Sequence, residues 1–154
     1  MEVRLQKASR EDAEEILAMQ KDAFSDLLNK YKDYDTSPAN ESLDKTLERL
    51  SQPYTYFYFI YAEGIKVGAI RIVDKKTEEP KIISPIFIQP KYRNRGYATS
   101  AVKEAERMHG EFGWELDTIA QEKETRRFYE NLGYKFTGEK KEVNDKMSLV
   151  YYAK

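Results

Sequence analysis

The chain predicts an α+β domain with one mixed sheet and helices on both faces. Three observations point there. Apolar residues switch between helical spacing and alternation in the order βααβββαβαββ. The pair Glu63-Gly64 joins two runs rich in aromatic and β-branched residues, which is a hairpin signal and requires antiparallel pairing. Elsewhere helices separate the strands, so the connections are mixed and the sheet is not an all-parallel, doubly wound one. No repeat and no low-complexity linker interrupts residues 1–154, and a single domain is expected.

The elements follow in order. Val3-Arg4-Leu5 alternates as a short strand, and Ser9 with Asp12 three residues on resembles a capping box. Ala13, Ile16, Leu17, Gln20, Phe24, Leu27, Leu28 and Tyr31 then recur at helical spacing. Polar, Pro-containing Lys32–Asn40 reads as a loop. Leu43, Leu47 and Leu50 mark a second helix that stops before Pro53. Strands are expected at Tyr54–Ala62, Ile65–Val73 and Lys81–Ile88. From Gly96, the stripe Ala98, Ala101, Val102, Ala105, Met108 and Phe112 predicts a helix ending near Gly110 and Gly113. Trp114–Ala120 reads as a strand, Glu124–Leu132 as a helix stopped by Gly133, and Tyr134–Thr137 and Met147–Ala153 as the last two strands.

Composition excludes several functions. With no Cys there is no disulfide, no thiolate nucleophile and no Cys-ligated metal, and the single His removes most His-metal sites, so no metal is expected. The balance of 26 Lys+Arg against 27 Asp+Glu lacks the basic excess of a nucleic-acid module. No apolar run suits a secretion signal or a membrane span, so a cytoplasmic chain without membrane partners is expected. Charge is nevertheless sorted. Glu11–Asp35 carries eight acids and three lysines, whereas Lys81–Lys103 carries five bases and no acid. Such sorting suits two ligands of opposite sign.

The basic block contains Pro90-Lys91-Tyr92-Arg93-Asn94-Arg95-Gly96-Tyr97-Ala98-Thr99 between a strand and a helix. Small residues at Gly96 and Ala98 let backbone N–H groups approach an anion at a helix N-terminus, with Lys91, Arg93 and Arg95 adding charge. It is neither a P-loop nor a G-x-G-x-x-G turn. The pattern P-x-Y-R-x-x-G-x-A resembles motif A of the GNAT superfamily of N-acetyltransferases. Phe128-Tyr129-Glu130-Asn131-Leu132-Gly133-Tyr134 is similar to its motif B. The resemblance implies a GNAT fold that takes acetyl-CoA as co-substrate. It places the pantetheine and acetyl carbonyl along the strand end Ile86-Phe87-Ile88, and the pyrophosphate on the N–H groups of Asn94, Arg95, Gly96, Tyr97, Ala98 and Thr99 with Arg93 opening the motif. Tyr129 stands where the family places the tyrosine that protonates the departing thiolate. Glu122 occupies the position, seven residues before it, where many members carry a cofactor-binding Asn.

Acetyl transfer to an amine needs a neutral nucleophile, a polarised carbonyl and a proton for sulfur. An alkyl amine of pKa ~10.4 is neutral in roughly one molecule of 2,500 at pH 7, a deficit of about 4.6 kcal/mol. A nearby carboxylate relieves it. Asp117 and Glu115, on one face of the Trp114–Ala120 strand, are the candidate bases. For the acceptor, Tyr31, Asp33, Tyr34, Asp35 and Glu41 and the aromatic strand Tyr54, Tyr56, Phe57, Tyr58 combine acids with rings, which suits a small cationic amine. Two other classes stay open: an acyl-CoA-binding module without turnover, and a protein or peptide N-acetyltransferase. His109 is expected as an exposed helix-end residue. The C-terminal strand Met147–Ala153 is expected at a sheet edge, where it would permit a homodimer.

Overall fold

A computed structural model describes residues 2–154. The elements run β1 (Val3–Lys7), α1 (Ala13–Tyr31), α2 (Leu43–Ser51), β2 (Thr55–Ala62), β3 (Ile65–Val73), β4 (Lys81–Ile88), α3 (Tyr97–His109), β5 (Trp114–Ile119), α4 (Lys123–Asn131), β6 (Lys135–Glu142) and β7 (Ser148–Ala153). Local chemistry sets several boundaries. The Ser9 N–H donates to the Asp12 carboxylate at 2.9 Å just ahead of α1. The Ser42 hydroxyl accepts from the Lys45 N–H at 3.1 Å and starts α2. Glu63 and Gly64 both take positive φ, 52° and 82°, the left-handed geometry of a tight hairpin between β2 and β3.

One seven-stranded sheet results, in the order β1-β2-β3-β4-β5-β7-β6, antiparallel except for β4 beside β5. Alternation sends successive residues to opposite faces. Phe57, Phe59, Ala69 and Phe87 meet Ile16, Met19 and Ala23 of α1 on one face. Tyr58, Ile60, Ile70 and Ile72 meet Ala101, Val102 and Ala105 of α3 and Tyr129 of α4 on the other. The expected helices on both faces are present.

Two irregularities prepare the site. Between β3 and β4 the register jumps: Ile70 pairs with Ile86 and Ile72 with Ile83, so Arg71 alone faces both Ser84 and Pro85, a β-bulge on β4. Then β4 and β5 pair only at Lys81 with Trp114 and Ile82 with Glu115 before they part. The sheet is therefore open in its middle.

Three expectations need correction. The last strand is interior, because β7 is flanked by β5 and β6; the edges are β1 and β6. The strand expected at Tyr134–Thr137 runs instead from Lys135 to Glu142, and every residue of that run is solvent-exposed. An edge strand is held by backbone pairing and needs no apolar alternation, so a run as charged as EKKE carries no sign of it. Phe112 lies beyond the end of α3 and is 68% exposed, because Gly110 at φ 114° stops the helix.

Candidate active site

The parting of β4 and β5 opens a cleft of about 870 Å³, walled by α1 and the following loop, the end of β4, the start of α3, the end of β5, and α4. From Ile83 to Ile88, β4 has no strand partner on its β5 side among the described residues, so that backbone edge faces the cleft. Unpaired main-chain groups must find partners elsewhere, and an extended ligand arm is one. Ile86, Phe87 and Ile88 line the cleft.

The turn that follows is shaped for an anion. Asn94 and Gly96 take φ of 65° and 80°, which bends the chain into the first turn of α3. That turn has no side-chain cap and no acidic residue, so the first N–H groups of the helix stay free with the positive end of the macrodipole behind them. Asn94, Gly96, Tyr97, Ala98 and Thr99 line the cleft. The two arginines behave otherwise than expected. The Arg93 guanidinium donates to the carbonyls of Ile88 at 3.0 Å and Ala23 at 2.7 Å, binding the end of β4 to α1. It borders the cleft as a brace, and the phosphate charge assigned to it is corrected to that role. Arg95 reaches only the Lys91 carbonyl at 3.4 Å and does not line the cleft, because its position directly before the left-handed Gly96 turns it outward.

Across the opening, Asp117 and Tyr129 meet. Asp117 stands opposite Tyr151 on β7, one face of the sheet, while Tyr129 comes from α4 on the other; the missing pairing lets them share one space. Tyr129 is 6% exposed, and none of the described side chains hydrogen-bonds its hydroxyl. Burial, and then the charge of Asp117, hold its phenol well above the ordinary tyrosine range. Burial also raises the Asp117 carboxyl, with Lys141 pulling weakly the other way. Although Asp117 is open to the cleft, its carboxyl is crowded by the cleft walls, and the crowding decides the direction. Glu115 is corrected: it sits where β4 and β5 still pair, so the closed sheet keeps it out of the cleft.

Glu122 also lines the cleft, but its carboxylate accepts from Lys30 Nζ at 2.8 Å and from the Tyr31 hydroxyl. It clasps the end of α1 to the start of α4. Burial pushes its carboxyl up, and the bonds from Lys30 and Tyr31 outweigh that and hold it low.

The acceptor expectations divide. Asp33 lines the cleft, with its carboxylate accepting from the Thr36 N–H at 3.0 Å and the Thr36 hydroxyl. Tyr31 reaches the site only through Glu122. Tyr34 and Asp35 line a separate groove of about 330 Å³ that shares Asp33, Thr36, Lys141 and Leu149 with the cleft. Glu41 is corrected outright: Gln20, Thr46 and Arg49 take its carboxylate, the last at 2.7 Å, and it is structural. Tyr56 is corrected too, since its ring packs edge-on against His109 on the α3 face. His109 is not exposed: its ring bridges the Tyr58 hydroxyl and the Asp74 carboxylate, both at 2.8 Å. The sequence reading missed Asp26, Thr36, Lys141 and Tyr151. Asp26 lay in the acidic block already noted, but nothing local marked the others.

Known proteins share this fold. The sequence profile described as the acetyltransferase (GNAT) domain matches residues 12–154. No curated protein matches the chain in sequence. Among solved structures, the chain is similar to PaiA N-acetyltransferase from Thermoplasma acidophilum in complex with coenzyme A, at 17% identity and TM-score 0.71, with 100% of both chains covered. It is similar to spermidine N-acetyltransferase from Vibrio cholerae in complex with CoA and spermine, at 15% identity and TM-score 0.76, covering 97% of this chain and 93% of that one. It also resembles the ribosomal-protein-S18-alanine N-acetyltransferase of Escherichia coli, at 10% identity and TM-score 0.75, covering 99% and 92%.

Proposed function

The chain belongs to the GNAT family of acetyl-CoA-dependent N-acetyltransferases, and on that premise we propose that it acetylates a small cationic amine by direct attack in a ternary complex. One observation carries the proposal: Asp117 and Tyr129 converge in the opening between β4 and β5, beside the uncapped end of α3. The wall charges favour a cation, since Asp26, Asp33, Asp117, Glu122 and Glu124 face Arg93 and Lys141. The loop after α1 lies against the cleft through Asp33, Thr36 and Ser37, which leaves less room for an extended peptide than for a small molecule.

Bound here, acetyl-CoA would supply the activated acetyl thioester. The free N–H groups of Gly96, Tyr97, Ala98 and Thr99 suit its pyrophosphate, and the edge of β4 suits its pantetheine arm. Asp117 takes the proton of the acceptor ammonium, which it can do only when ionised. Because burial raises its carboxyl, activity should climb with pH through a point above the ordinary carboxylate range. Tyr129 stays protonated at neutral pH and hydrogen-bonds the charge that develops on sulfur, and the second proton, which the attacking nitrogen loses as the amide forms and the C–S bond breaks, ends on the thiolate to give free coenzyme A.

The experiment is thiol release from acetyl-CoA over a panel of polyamines, monoamines and peptides, with pH profiles for the wild type, Asp117→Asn and Tyr129→Phe. Tyr129→Phe should lower kcat about 100-fold with little change in acetyl-CoA affinity, and Asp117→Asn should lower kcat and flatten the acid limb. Binding of acetyl-CoA without turnover of any amine would instead identify an acyl-CoA-binding module. Turnover of peptides alone would remove the small-amine acceptor.

A further inference from the structure

Arg71 lies mid-strand on β3 and is only 8% exposed, yet it makes no ion pair among the described residues. Glu41, whose charge reaches it, is held by Arg49 at 2.7 Å. Burial and the neighbouring Arg49 lower its pKa to about 10, so it remains charged at neutral pH. A buried cation without a counter-charge opposes folding, and an apolar side chain of similar volume would be easier to accommodate there. Its hydrogen bonds show what it does instead. One guanidinium nitrogen donates to the Ser84 carbonyl at 2.9 Å, and another reaches Gln52 Oε1 at 3.3 Å and Thr55 Oγ1 at 3.5 Å. The remaining Nε has no partner among the described residues. Ser84 is half of the bulge that Arg71 itself faces across the sheet.

The bulge has a functional consequence. It inserts one residue into β4, so that Ile83 and Ile86 both fall on the α3 face, and it lies within the stretch from Ile83 onward that has left β5. A bulge bends and re-aims the strand that carries it. The fork of Arg71 spans from the bulge carbonyl to Gln52 and Thr55 at the start of β2, which holds that bend from the β3 side, away from the β5 side where the cleft opens. We propose that Arg71 is a positioning residue for the co-substrate: by fixing the Ser84 carbonyl it keeps the Ile86–Ile88 backbone edge aimed at the pantetheine arm, and it touches neither acetyl-CoA nor the reacting atoms. This rests on the assignment of acetyl-CoA to the cleft. The α3 N-terminus, which suits the pyrophosphate, is not reached by Arg71 and should be indifferent to it.

The test is calorimetric binding of coenzyme A and of ADP, which carries the pyrophosphate without the pantetheine, to the wild type, Arg71→Met and Arg71→Lys, beside their melting temperatures. Arg71→Met should melt no lower than the wild type, bind coenzyme A about tenfold or more weakly and bind ADP within about twofold of it. Arg71→Lys keeps the charge but not the fork, and should weaken coenzyme A by about threefold with ADP unchanged. If Arg71→Met does not fold, Arg71→Lys alone decides. Coenzyme A binding equal to the wild type in the folded variant overturns the proposal. So does an equal loss for both ligands, which would mark general structural damage. A wild type that binds neither ligand overturns the acetyl-CoA assignment and this proposal with it.

Discussion

The two ends of α3 are built on opposite principles. At its C-terminus Gly110 stops the helix, Arg107 and His109 stand in the last turn, and the His109 ring is bonded on both sides by Tyr58 and Asp74. The Arg107 guanidinium, the His109 ring and the Glu106 carbonyl all have partners inside the protein. At its N-terminus the left-handed Gly96 offers no side chain, the first turn holds no acid, and the helix opens onto the cleft. The same macrodipole is answered internally at one end and left for a ligand at the other. An end with unmet donors is available to a ligand, whereas an end with met ones anchors the helix.

Mutations separate the two. The largest effect should come from Gly68→Ala beneath the open end: a Cβ there would lie 2.1 Å from the Phe87 carbonyl oxygen, a backbone atom that cannot step aside. Gly68 pairs with Ile88, so the change should displace the β4 edge and destabilise the fold by about 3 kcal/mol, read from the denaturation midpoint, with coenzyme A binding lost. Thr99→Glu sharpens the contrast by moving two quantities in opposite directions. A negative charge in the first turn should stabilise the helix by about 0.5 kcal/mol. The same charge should repel the pyrophosphate and weaken coenzyme A by about 100-fold, or about 2.7 kcal/mol, in a titration.

His109→Ala is the reverse case. It leaves the Tyr58 hydroxyl and the Asp74 carboxylate short of a partner and should cost about 2 kcal/mol of stability while coenzyme A affinity stays as in the wild type. If its affinity falls as far as that of Thr99→Glu, the two ends are not independent. The smallest effect is in acid. Burial pushes the Asp74 carboxyl up, but bonds from His109 and Lys76 outweigh this and hold it below its ordinary value. Its contribution is therefore present above an unfolded carboxylate pKa of about 3.9 and fades as pH falls through the lower folded value. The stability gap between the wild type and Asp74→Asn should narrow below about pH 4.

Much of this was legible before any coordinates. The order of elements, the hairpin at Glu63-Gly64, the glycine stop at Gly110 and the two motifs all rest on neighbours a few residues apart, and short-range periodicity and backbone preference record them. The turn at Gly96 that opens α3 was legible for the same reason. Polar partners were not. Arg93 was expected at a phosphate but serves α1, 70 positions away. Glu122 meets Tyr31 across 91 positions, and His109 meets Tyr58 across 51. Glu41 and Tyr56 had suitable chemistry for an acceptor and were claimed by structural neighbours instead. A charged or aromatic side chain states what it can bond to, but its partner depends on which elements meet, and that follows from the packing of the whole sheet. The chain's pattern thus carries the strands, the helices and the shape of the anion turn, because these arise from backbone conformation over a few residues. Which carboxylate faces the cleft depends on where β4 leaves β5, since that opening brings Asp117 to Tyr129 and shuts Glu115 out.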